Sequence, residues 1–142
     1  MYKFLENWKR PGTVAKAVFF IGLVLIIAVP AWMGDNRAHP LNWYRTRWCE
    51  SAGGESAAKM TDGTTCDCLT PTHAVEFAFA DHWHEAIGQA LYNGRQTGKT
   101  PGVVLVIEKE SDEKYVRRLQ DTVAHFSLPV TVWEYEEVGE EQ

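Results

Sequence analysis

The sequence has no internal repeat and no low-complexity stretch, which excludes collagen, coiled-coil and mucin-like segments. Basic residues are in the minority, with 14 Lys and Arg against 19 Asp and Glu. In the first 31 residues Lys3, Lys9, Arg10 and Lys16 outnumber Glu6 for a net +3, so the total of −5 leaves −8 on the remainder. A domain that acidic has no overall attraction for a polyphosphate, and nucleic-acid binding would need a local site or metal ions. Cysteine is scarce too. Cys49, Cys66 and Cys68 make an odd number, so at least one thiol stays unpaired. Cys66 and Cys68 are too close along a strand to pair comfortably, and the spacing admits a bond from Cys49 to either. What remains, 45% apolar residues over 142 positions, fits one ordinary globular domain.

One long apolar run stands out against this background. Ala17 to Met33 is uncharged and almost wholly hydrophobic, with Lys9, Arg10 and Lys16 on its N-terminal side. At about 1.5 Å per residue, a helix from Val14 to Met33 is roughly 30 Å long, matching a bilayer's hydrocarbon core. Trp32 stands where an interfacial aromatic would sit. The expectation is a single-pass membrane anchor through residues 14–33; the alternative is a cleaved signal peptide and a secreted domain, since Val29-Pro30-Ala31 offers small residues at cleavage-like spacing. The basic flank slightly favours a cytoplasmic N-terminus, which places the globular part outside the cytoplasm.

The chain then divides into an anchor or signal segment (1–33), a linker (34–40), an α/β domain (41–136) and an acidic tail (137–142). Asn42 to Glu50 predicts a short helix with Trp48 and either Trp43 or Tyr44 inward. Ser56–Met60 and Thr64–Leu69 flank Asp62-Gly63, a strong hairpin signal, and Ala74–Ala80 follows as a third strand through a turn at Pro71. Asp81–Thr97 has helical period with Trp83, Ile87, Ala90, Leu91 and Gly94 on one face. Val103–Ile107 has the pattern of a strand buried on both faces. Asp112–Ser127 is a second amphipathic helix with Tyr115, Leu119, Val123 and Phe126 inward, and Val130–Tyr135 is the last strand.

Chemistry concentrates at two acids. If the turn is centred at Pro71 and Thr72, Asp67 falls directly opposite Glu76. Like charges opposed across strands are destabilising unless solvated, protonated or bridged by a cation. Bridging is the functional reading, because Mg²⁺ is held by one or two carboxylates plus water and phosphate oxygens; two ordinary surface acids are the alternative. His82 and Gln89 are seven residues apart and share a helix face, so His82 can point toward the carboxylates. The Gly94-Arg95-Gln96-Thr97-Gly98-Lys99-Thr100 segment resembles a phosphate loop but is one residue short and lies between helix and strand in the wrong order.

Asp67-Cys68-Leu69-Thr70, His73-Ala74-Val75-Glu76-Phe77, the Glu85-Ala86-Ile87-Gly88-Gln89-Ala90-Leu91-Tyr92 block and Pro101-Gly102-Val103-Val104-Leu105 resemble small bacterial proteins related to the PD-(D/E)XK nuclease superfamily. The similarity covers roughly Trp48 to Tyr135. It implies a restriction-endonuclease-like α-β-β-β-α-β core with a mixed sheet. It also implies Asp67 and Glu76 as ligands of Mg²⁺ (or Mn²⁺), and Gln89 as the helix glutamine supporting a hydrolytic site, with His82 near the attacking water. Ala78 stands where the superfamily has lysine, and Asp81 and His82 occupy the other places a lysine takes. Glu55 would be an additional acid on the first helix. Without the lysine, the metal or a histidine must stabilise developing charge. The resulting expectation is a metal-dependent phosphodiesterase or nuclease-like domain tethered to a membrane, and the alternative is a catalytically inactive nuclease-like binding or assembly module. Nucleic acid is a partner the −8 domain disfavours, and no protein partner is specified.

Overall fold

The computed structural model describes residues 37–136. The predicted membrane segment, the first three residues of the linker (34–36) and the acidic tail lie outside the described residues. No described helix is long and apolar enough to cross a membrane.

Among the described residues, three α-helices and five strands follow one another as α1 (Leu41–Ser51), β1 (Glu55–Lys59), β2 (Thr65–Leu69), β3 (His73–Phe79), α2 (Trp83–Thr97), β4 (Thr100–Ile107), α3 (Glu113–His125) and β5 (Thr131–Glu136). Short 3-10 turns at Ala80–His82 and Glu110–Asp112 lead into α2 and α3. The strands form one mixed sheet in sequence order, antiparallel from β1 to β3 and parallel from β3 to β5. Element order and sheet type therefore agree with the α-β-β-β-α-β-α-β reading, while the boundaries move.

The largest shift is at β4, which begins at Thr100 and takes in Pro101 and Gly102. Proline lacks the N–H that a central strand needs. Here Pro101 pairs with Ala74 on one side, and β5 joins only at the next position, Gly102 with Thr131. From Pro101 to Ile107 every β4 residue is buried, as the apolar run predicts for a strand covered on both faces.

Alternation along β3 divides the core. Val75 and Phe77 face α1, packing with Cys49, Cys68 and Val104, with Trp48 and Trp133 at the margin. Ala78 faces the other way, against Ala86 and Ala90 of α2, Leu119 of α3, and Val103 and Leu105. In α1 it is Tyr44, not Trp43, that is fully buried. In α2 the buried face is Ala86, Ala90, Asn93 and Gly94, rotated from the predicted one; Trp83 and Ile87 are only partly buried. Phe126, expected inside, is 67% exposed, because α3 ends at His125 and its period no longer governs the next residue.

Cys49 and Cys68 form a disulfide, which ties α1 to β2 across 19 residues, and Cys66 is a buried free thiol. Gly54 passes directly over the bond. A Cβ there would lie 2.6 Å from Cys68 Sγ and 2.9 Å from Cys49 Sγ, closer than atoms can pack. Gly54→Ala is therefore expected to lower stability by about 1–3 kcal/mol, the usual cost of overpacking, measured as a shift of the urea midpoint.

Arg37, in the segment read as linker, makes several contacts with later elements. Its guanidinium donates to both oxygens of Asp81 at 2.9 Å and to Glu108 at 3.3 Å, lying 4.1 Å over the Phe79 ring. Ala38 N–H and Tyr44 Oη–H also donate to Glu108. Arg37 and Ala38 are thus held at the C-terminal ends of β3 and β4, where the Glu108 and Asp81 carboxylates need donors.

Strand β1 carries one irregularity. Ala57, between the Ser56–Cys68 and Ala58–Cys66 pairs, has φ +56°. A left-handed alanine interrupts the pleat, and it does so across from Asp67.

Candidate functional site at the parting of two strands

The β2–β3 hairpin has the register expected of a turn centred at Pro71 and Thr72, with Cys68 opposite Val75 and Leu69 opposite Ala74. Asp67 and Glu76 are the next pair out. There the backbone ladder stops, although β3 continues to Phe79 and β2 reaches back to Thr65. Side chains take over the hydrogen bonds: Asp67 N–H donates to Glu76 Oε1 at 3.3 Å, and Phe77 N–H donates to Asp67 Oδ2 at 3.0 Å. The acids are neighbours, as their spacing predicts.

Each acid has its own further partner, from a different helix. Arg45 on α1 donates from Nη1 to Asp67 Oδ1 at 2.5 Å. Asn93 on α2 donates from Nδ2 to Glu76 Oε1 at 2.5 Å. Because α1 and α2 cover opposite faces of β3, the two carboxylates are drawn toward different sides and share no partner among the described residues.

Their electrostatics differ accordingly. Glu76 is 2% exposed, and burial, reinforced by the charge of Asp67, raises its pKa from 4.5 to about 7; the Asn93 and Asp67 donors offset this only partly. The neighbouring Cys66 thiol is pushed up to about 12 by burial and then by Glu76, so it is no nucleophile. Asp67 is the better exposed acid and lies against the Arg45 guanidinium. Arg45 Nε is buried without a hydrogen-bond partner, the one such side-chain atom among the described residues.

His82 and Gln89 do not reach either acid. His82 Nδ1 pairs with Asp81 at 3.1 Å, and His82 and Gln89 line a cleft shared with Phe77, Ala78 and Phe79. The cleft and the acid pair are successive stations along one seam. Gln89 precedes Asn93 by four residues on α2, and Leu41, which closes the cleft, precedes Arg45 by four on α1. Glu55 stands exposed on β1 and not on a helix, so it cannot take the helix position the resemblance assigns it. Among the described residues no group of three or more His, Cys, Asp and Glu side chains is placed to hold a metal ion.

Arg45 and Asn93 are the site residues that sequence reasoning missed. A signal existed for Asn93: a buried acid requires a donor, and one helical turn beyond Gln89 the sequence supplies an amide on the same face. No protein family, curated protein or solved structure matches this chain.

Proposed function

We propose that the chain is a membrane-tethered binding or assembly module with a nuclease-like α/β fold and no phosphodiesterase activity of its own. The observation that carries this reading is the Arg45–Asp67 ion pair. A hydrated Mg²⁺ needs open, ionised oxygens and keeps several waters. One candidate ligand here is already neutralised by a guanidinium, and the other is buried with a pKa raised to about 7. The tether is the apolar segment 14–33, and the Cys49–Cys68 bond suits a domain held on the oxidising side of a membrane.

The specific observation favouring an active site is the adjacency of Asp67 and Glu76. In that second reading, Asp67 and Glu76 would hold Mg²⁺ or Mn²⁺, which would supply Lewis-acid activation of a water, with Arg45 as a nearby cation and Gln89 as the helix glutamine. The two readings separate cleanly. The full-length chain, incubated with single-stranded and duplex DNA and millimolar Mg²⁺ or Mn²⁺, is expected to leave both intact, and calorimetry to record no saturable metal binding. Metal-dependent cleavage that is abolished in Asp67→Ala would overturn the proposal and install the second reading.

A further inference from the structure

The cleft beside the acid pair has a volume of about 150 Å³ and lies along the stretch of β3 from which β2 has parted. Its walls are hydrocarbon for most of their length, from Leu41, Phe77, Ala78, Phe79 and Ala86, while Glu85 and Gln89 stand at its α2 side and His82, whose Nδ1 pairs with Asp81, at the turn before α2. Asp67, Asp81 and Glu108 each meet an arginine, but Glu85 forms no ion pair among the described residues. No lysine or arginine lines the cleft. An anion entering it would meet an uncompensated carboxylate, and a wholly apolar molecule would cover polar groups without bonding them. Size narrows the choice further, since drug-sized ligands occupy pockets of roughly 300–1,000 Å³.

We propose that this cleft binds a primary alkylammonium group, the aliphatic chain running along Leu41, Phe77 and Ala86 and the ammonium meeting the Glu85 carboxylate and the Gln89 side-chain carbonyl. The chemistry is that of a stem which prefers apolar walls and a head which prefers water and a counter-charge. A short free amine and a lysine side chain of another protein both present it. The inference rests on the reading of this seam as a binding site; DNA cleavage would overturn that reading without involving an amine, so the two can fail separately.

The test titrates the full-length chain with n-butylammonium chloride, n-butanol and sodium butyrate, followed by heteronuclear NMR. Saturable shifts confined to residues around Ala78, Ala86 and Gln89 are expected with the amine alone. Glu85 is exposed, so Glu85→Gln keeps the fold and should weaken the amine at least tenfold. Competition by Nα-acetyl-lysine methylamide as strong as by butylammonium assigns the site to a protein lysine; exclusion of the blocked lysine assigns it to a free amine. Equal binding of the alcohol, unchanged binding in Glu85→Gln, or no saturation with the amine overturns the proposal.

Discussion

Removing the Cys49–Cys68 bond is expected to cost the domain about 3 kcal/mol, the loop-closure value for a loop of this length. For a domain of roughly 100 residues that corresponds to a fall in Tm of about 12–24 °C. In the loop-closure account the effect arises in the unfolded chain, whose freedom the bond restricts, while in the folded domain Cys49 and Cys68 pack with Val75, Phe77 and Val104. Cys66 offers no replacement: it lies in a separate cluster with Met60 and Ala74, and its thiol is held protonated. The measurement is thermal unfolding of the Cys66→Ala protein with and without reductant, beside the Cys49→Ala/Cys68→Ala double variant. Equal Tm values for oxidised and reduced protein would show that α1 is held by packing alone.

The second large effect is on pH dependence. In the unfolded chain the Glu76 carboxyl loses its proton around the ordinary 4.5, whereas in the folded domain it holds on until about 7. The folded state therefore binds the proton more tightly, and stability is highest below pH 4.5 as far as this group is concerned. It declines as the pH rises through about 7, by up to about 3 kcal/mol at about 1.4 kcal/mol per pKa unit. Urea denaturation at pH 5 and pH 8 should show the difference. Glu76→Gln retains a carbonyl for Asn93 and removes the ionisation, so it is expected to flatten the profile and to raise stability at pH 8. A Glu76→Gln protein that keeps the full pH dependence would place its origin elsewhere.

What could be read from the chain was local. The register that makes Asp67 and Glu76 neighbours follows from a proline-containing turn and the two-residue period of strands, and both are fixed by nearby residues. The burial of β4 likewise follows from its unbroken apolar run. What escaped depends on approach of distant segments. Arg45 is 22 residues from Asp67, and a charged residue on a short helix carries no mark of the acid it will meet. Asn93 is polar, so a search for apolar faces passes over it, and the inward side of α2 was drawn one step off as a result. Arg37 looked like part of a polar connector because its partners, Asp81 and Glu108, come from two later elements. The predicted site was thus half legible: the pair of acids was visible, but their guanidinium and amide partners were not.

The left-handed Ala57 has a bearing on how crowded molecules of this protein behave. An outermost strand normally presents a straight row of free amides and carbonyls on which a stranger can zip. In β1 that row is broken at its midpoint, and charged Glu55 and Lys59 close its two ends. Copies that meet along β1 can therefore jostle there without seeding a shared sheet through that edge.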